Sequence, residues 1–348
     1  MIRLKYLLVY LLPASVYFSF TSNGILTFIP LFLFFGFVPI LELFIAPDRS
    51  NFTTEKANAE KANRFYSLIL YFTLPVQIIF LFFFFKVIQE PGLSNLTFAG
   101  RIFSMGLMCG VMGINVGHEL GHRSNRLEQF IGELLLLTSL NTHFLPYHNE
   151  GHHRNVATPN DSATAKKNEW IFLFWIRSHF GSYAEAWQIE SNRLLKKKIS
   201  KFSFHNKMIL YSMANGLLLF GIYFYLGFFA LTAFILAAII GILLLETVNY
   251  IEHYGLLRLQ DKNGKYERVK HQHSWNSDSV LSKLFLFNLS RHSDHHFKGS
   301  KKYQILESLP QSPQMPTGYP GMMLLALIPP LWFSYMNKRL RQFQTTLA

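Results

Sequence analysis

Apolar runs of about 20 residues recur along this chain, the length that crosses a hydrocarbon core of ~30 Å. They cover Leu4 to Thr21, Ile25 to Ala46, Phe65 to Ile88, Thr97 to Gly117, Met208 to Phe228 and Leu231 to Tyr250. A backbone inside lipid must satisfy its own hydrogen bonds, and runs of this length do so as α-helices. The expected fold is therefore an all-α integral membrane protein with six transmembrane helices, read as one domain over residues 1–348. Half of the 348 residues are hydrophobic and 35 are Phe, which agrees. The net charge of +13 then reads as loops facing anionic lipid and acidic partners, with no nucleic acid implied.

Loop charge gives an orientation. Lys and Arg occupy the segment opening the first run, the 47–64 loop, the 118–207 region and the C-terminal region. The turns at Asn23–Gly24, Pro91–Gly92 and Gly227–Leu231 hold none. The positive-inside rule puts both termini and the polar segments 118–207 and 251–348 in the cytoplasm. Within the first of these, Leu127 to Leu145 is apolar but includes Glu128 and Glu133, and a membrane-skirting or re-entrant helix is expected. Met322 to Phe333 is apolar too, but Pro329–Pro330 interrupts it and it is short for a crossing.

Those cytoplasmic segments carry three histidine clusters: His118 and His122; His148, His152 and His153; His292, His295 and His296. On a helix, residues four apart share a face, so His118/His122, His148/His152 and His292/His296 are each expected to form a two-nitrogen clamp. Neutral imidazole suits Zn, Cu, Fe and Ni, and eight clustered histidines exceed the needs of one ion. The single cysteine, Cys109, excludes disulfides, thiolate zinc sites, iron–sulfur ligation and a fused rubredoxin-type domain. Two rival schemes use fewer of these residues. His118-Glu119-x-x-His122 matches the zinc-protease pattern, with Glu119 as base. Glu119-x-x-His122 and Glu150-x-x-His153 match di-iron carboxylate pairs, with Glu42, Glu246 and Glu252 available as further ligands. Both leave most histidines idle. Histidine ligation is preferred, with Glu119, Glu150 and Asp294 expected to orient imidazoles.

The set H-x3-H, H-x3-HH, H-x2-HH resembles the integral-membrane di-iron desaturases and hydroxylases, and more closely the membrane-bound alkane 1-monooxygenases (alkane omega-hydroxylases). The resemblance is carried by His118-Glu-Leu-Gly-His122-Arg123, His148-Asn-Glu-Gly-His152-His153 with Val156-Ala-Thr-Pro-Asn-Asp161, and Asn249-Tyr-Ile-Glu-His253-Tyr-Gly255. It continues through Leu289-Ser-Arg-His292-Ser-Asp-His295-His296, Lys302-Tyr-Gln304, Pro316-Thr-Gly-Tyr-Pro320 and Pro329-Pro-Leu-Trp-Phe333. Departures are Arg123 in place of Lys, Tyr147 in place of an acid, and Ser162-Ala-Thr in place of Pro-Ala-Ser.

What the resemblance implies is specific. Nine histidines would ligate two iron ions: His118, His122, His148, His152, His153, His253, His292, His295 and His296. O2 would be the co-substrate, and a terminal methyl of a medium- or long-chain n-alkane would become a primary alcohol. Electrons would come from rubredoxin, itself reduced by an NADH-dependent reductase, at a bacterial inner membrane. The alternative is a related hydroxylase or desaturase acting on fatty acyl chains or aromatic methyl groups. An unactivated C–H bond offers nothing to acid, base or nucleophile, so the hard step belongs to metal. Phe34, Phe35, Phe37, Leu41, Ile114 and Leu244 are candidate substrate-lining residues. Lys166, Lys167, Lys298, Lys301 and Lys302 are candidates for docking an acidic donor. His143, His179, His205, His271 and His273 lack cluster spacing and are expected at the surface or behind the ligands.

Overall fold

The computed structural model describes residues 3–347. Among them no β-strand forms; the only pairings are isolated bridges, Gln260 with Tyr266 and Asn276 with Gln314. The principal helices are α1 (Leu11–Phe20), α2 (Gly24–Glu42), α3 (Arg64–Ile88), α4 (Asn95–Gly121), α5 (Arg126–Leu137), α6 (Ile171–Lys196), α7 (Lys207–His253), α8 (His292–Phe297), α9 (Tyr319–Ala326) and α10 (Pro329–Leu347). Four of these, α2, α3, α4 and α7, are long and apolar enough to cross a membrane.

That count differs from six for physical reasons. The first apolar run splits into a 3-10 segment, Arg3–Tyr10, and the ten-residue α1, too short a helix to span by itself. The fifth and sixth runs form one 47-residue helix, α7, about twice the length a bilayer needs. It is broken at Gly227, whose φ of 83° and ψ of 176° are open to glycine and strained for other residues. The expected turn is there, but it is a single residue. Lys207 and Tyr211 both bond Glu133 on α5, at 2.9 and 2.8 Å. Phe229, just beyond the break, stacks on Phe98 at the opposite end of α4. The chain therefore reverses at Gly227.

The residues cluster into two compact units, interleaved along the sequence. The first comprises residues 3–36, 64–147 and 184–245. Here α4 and α7 meet through glycines, as helices in lipid do when dispersion has to replace the hydrophobic effect. A Cβ on Gly241 would lie 2.7 Å from Cys109 Cβ and 3.0 Å from the Gly110 nitrogen; one on Gly106 would lie 2.5 Å from Ile240 Cγ2. Within the Leu127 to Leu145 stretch, α5 folds back on the end of α4. There a Cβ on Gly132 would meet the Gly117 carbonyl at 2.9 Å. Ile114 packs with Leu136, Phe144 and Leu145, so it is core.

The second unit comprises residues 37–63, 148–183 and 246–347. Its helices are joined by long loops, held by long-range bonds. The residues just past α7 bond to the 157–165 loop, Gly255 N to Ala165 O at 2.9 Å and Arg258 N to Ala157 O at 2.8 Å. Asn276 exchanges backbone bonds with Pro313 and Met315, and Ser277 N donates to Ser290 O, each at 2.8 Å. The interrupted run near the C-terminus becomes α9 and α10, with Pro329 opening α10 where its missing N–H costs nothing.

Glycine packing makes a test. Gly241→Val pushes a side chain into the α4 backbone, and overpacking of this kind costs about 1–3 kcal/mol. Gly216, with nothing within 4 Å of a built Cβ, should accept Ala with stability unchanged or slightly raised. Thermal unfolding of both variants in lipid nanodiscs checks the contrast.

Candidate metal centre

In the first unit, His118 and His122 stand at the end of α4, with Nε2 atoms 3.1 Å apart. The clamp expected from four-residue spacing is present. A wide π turn over Cys109–Asn115 precedes it, a feature found mostly at functional sites. Arg123, buried beside the pair, donates to Glu119 Oε1 at 2.6 Å. A carboxylate committed to a buried guanidinium is a poor general base, which weighs against the protease scheme.

The second unit holds the other seven histidines in two adjoining groups. His152, His253, His292 and His296, all buried, have ligand nitrogens within 4.8 Å of one another. His152 and His296 Nε2 are 3.2 Å apart, as are those of His253 and His292. The other group is His148, His153 and His295. His153 Nε2 lies 3.0 Å from that of His148 and 3.2 Å from that of His295. The groups touch where the His153 and His296 rings meet at a tilt of 31°, centroids 4.5 Å apart.

One expected clamp is overturned. His148 does not pair with His152 but with His153, five residues on. The cause is a second π turn, His148–His152, which widens the helix and shifts the shared face from i+4 to i+5. His292 and His296 do share a group, and His295 turns to the other.

These residues fit metal ions. Nitrogens 3.0–3.2 Å apart match neighbouring ligands each about 2.1 Å from a shared ion. Ring N–H groups alone do not answer the pattern, because His153 Nε2 faces both His148 and His295 and carries at most one hydrogen. Burial, and then the neighbouring His292, His153, His152 and His253, push His296 well below the usual imidazole range. It is neutral, the ligating form.

Buried polar partners fix the rings. His152 Nδ1 bonds Asp161 Oδ2 at 2.9 Å, which turns Nε2 toward His296 Nε2, 3.2 Å away. Asp161 in turn accepts from the Thr164 hydroxyl at 2.6 Å. Glu252 Oε2 lies 3.1 Å from His292 Nε2, while its Oε1 accepts the Tyr319 hydroxyl at 2.7 Å. Burial and the Glu252 charge raise the Tyr319 phenol well above its ordinary value, so it stays a donor. Arg291, immediately before α8, brackets the ligand helix by donating to the carbonyls of Leu306, Asp48 and Ser50 at 2.6, 3.0 and 3.0 Å.

The Asn249–Gly255 element explains itself at this point. Tyr250 donates to Glu169 O at 2.6 Å, Tyr254 accepts from Asn168 N at 2.9 Å, and His253 joins the four-histidine group. Gly255 ends α7 at φ 71°, and a Cβ there would strike Leu340 at 2.6 Å.

Two expected orienting acids are elsewhere. Glu150 is exposed. Asp294 is buried but committed to Lys301 Nζ at 2.6 Å and Glu307 N at 2.7 Å. Asp161, which fixes a ring through its Nδ1, and Glu252, held by Tyr319 against His292 Nε2 itself, carried weaker sequence signals: each belongs to a motif, but none has histidine spacing. Of the remaining histidines, His271 is not a bystander, because its ring lies on Phe297 with centroids 4.0 Å apart.

A sequence model of the fatty acid desaturase family matches residues 94–325. Alkane 1-monooxygenase 1 of Pseudomonas aeruginosa is 38% identical over 314 residues, 89% of this chain and 81% of that protein. The alkane 1-monooxygenase of Ectopseudomonas oleovorans is 36% identical over 320 residues, 92% of this chain and 79% of that protein. The xylene/toluene monooxygenase hydroxylase component XylM of Pseudomonas putida is 33% identical over 263 residues, 75% of this chain and 68% of that protein.

Asp161→Asn should turn His152 toward the wrong tautomer, since an amide can donate to Nδ1. Loss of such an orienting partner lowers metal affinity about 10–100-fold. Titration of the apo-protein with Fe(II) against a competing chelator measures it.

Proposed function

Since the chain belongs to the fatty acid desaturase family, and within it to the alkane 1-monooxygenases, we propose that it hydroxylates the terminal methyl of medium- or long-chain n-alkanes. The balance is R–CH3 + O2 + 2 e− + 2 H+ → R–CH2OH + H2O. One observation carries the reading: a chain matching alkane 1-monooxygenase 1 over 89% of its length keeps two adjoining groups of buried or half-buried, converging imidazoles. The whole chain works as one membrane oxygenase domain.

The proposed ligands are His118, His122, His148, His152, His153, His253, His292, His295 and His296, holding two iron ions. Iron bound by these residues would supply O2 activation and attack on an unactivated C–H bond, chemistry that no side chain provides. The protein's own part is to hold and orient. Asp161 keeps a hydrogen on His152 Nδ1 and directs Nε2 inward. Tyr319 fixes one oxygen of Glu252 and leaves the other facing His292. Arg291 fastens the helix that carries three ligands. The apolar helices solvate a featureless chain and exclude water from the reacting carbon.

The electrons come from outside, because a single buried cysteine cannot anchor an iron–sulfur centre. Rubredoxin, reduced by an NADH-dependent reductase, is the proposed donor. Six membrane crossings, with both termini and the histidines on the cytoplasmic side of the inner membrane, meet that need, and basic loops support the orientation. The likeness to XylM, named for xylene and toluene, supports aromatic methyl groups as the second substrate class.

The test combines metal analysis with product analysis. The purified protein should carry about two irons per chain, with His295→Ala losing metal, and should convert n-octane or n-hexadecane to the 1-alkanol with reduced rubredoxin. One zinc per chain, unchanged by His295→Ala, overturns the proposal. Benzylic alcohol from toluene without 1-alkanol moves the substrate to the aromatic class.

A further inference from the structure

The segment His273–Asn276 crosses the end of α7 and bonds both neighbours of His253. Trp275 N donates to the Glu252 carbonyl at 2.8 Å, and the Trp275 indole Nε1 donates to the Tyr254 carbonyl at 3.0 Å. The Ser274 hydroxyl faces His253 Nδ1 at 3.5 Å, and the His253 ring bonds the His273 backbone. The last carbonyls of a helix find no N–H within it, and Glu252, Tyr254 and Trp275 are all buried away from water. One residue thus closes two carbonyls and fixes the backbone on each side of His253.

The next residue reaches the partner of that ring. Asn276 Oδ1 accepts from Ser293 Oγ at 3.1 Å, and Ser293 Oγ also meets Ser312 Oγ at 2.7 Å. Ser293 follows His292 on α8. Asn276 is itself anchored by its backbone bonds to Pro313 and Met315. We propose that Trp275 and Asn276 are positioning residues that set the separation of His253 from His292, whose Nε2 atoms are 3.2 Å apart. The proposal rests on the reading of these histidines as metal ligands. A single peptide unit joins the residue that holds the end of α7 to the residue that holds the start of α8. The two rings, 39 residues apart in sequence, are therefore spaced by a short rigid link. Neither Trp275 nor Asn276 belongs to a histidine motif, and the link is visible only in the folded chain.

The test titrates the metal-free, full-length protein in nanodiscs with Co(II), read by its visible ligand-field absorption. His292→Ala identifies the binding step that belongs to His152, His253, His292 and His296, and His295→Ala identifies the other. Replacing Trp275 by 3-benzothienylalanine keeps the shape of the ring and removes its N–H. This variant should weaken the first step about tenfold, the loss typical of a missing orienting partner, and leave the second unchanged. Asn276→Ala should weaken the same step. 7-Azatryptophan at position 275, which keeps the N–H, should restore wild-type binding. Wild-type affinity at that step in either weakened variant overturns the proposal. Equal weakening of both steps, with a lower unfolding temperature of the metal-free protein, also overturns it and leaves the pair as packing residues. A wild-type protein with no Co(II) step that His292→Ala removes overturns the ligand reading, and the proposal with it.

Discussion

Seven imidazole rings converge in the second unit, nitrogen to nitrogen, and nearly everything around them exists to hold that arrangement. Metal bound among them would contribute to the folding of this unit, as it does wherever ligands meet at a site that the unfolded chain lacks.

The framework that holds these rings combines a buried apolar core, with Trp275, Trp332 and Tyr254 fully buried, with a network of buried hydrogen bonds. Arg291 reaches three carbonyls from two distant loops, and Asp278 Oδ1 meets its Nε at 3.2 Å. Asp278 is itself fixed by the Ser308 hydroxyl at 2.6 Å. Satisfied networks of this kind rigidify, because losing any one member exposes the others as unpaired buried groups. In the first unit rigidity comes differently, from glycines that bring the α4 and α7 backbones into contact.

The sequence was informative where one period governs one segment. Apolar runs of membrane length gave the helical class, and four-residue spacing gave the His118/His122 clamp and the partnership of His292 with His296. It misled where backbone geometry departs from the regular helix. The π turn at His148–His152 moves the partner of His148 by one residue, and nothing in His-Asn-Glu-Gly-His announces a π turn. Acids close in sequence, Glu150 and Asp294, looked like orienting partners, yet one is exposed and the other bonds Lys301. The acids that do orient rings are distant or chosen by tertiary packing. Asp161 reaches back nine residues to His152, and Glu252 relies on Tyr319, 67 residues away. Spacing rules carry no information at that range. Gly227 was legible as a turn, while its economy, one residue with no loop, follows from a φ that sequence alone does not display.

The two His-His doublets show why the groups form together. Consecutive residues on a helix point about 100° apart. His152 therefore joins the four-histidine group while His153 joins the other, and His296 and His295 divide in the same way. Each short helix thus contributes to both groups, and neither group can assemble without positioning both helices. An ion filling one group would pre-order ligands of the next and so lower the entropy that binding of a second ion would otherwise have to offset. The tilted rings of His153 and His296 meet at this junction, each the second residue of its doublet, so the link between the groups is made by the same residues that divide them.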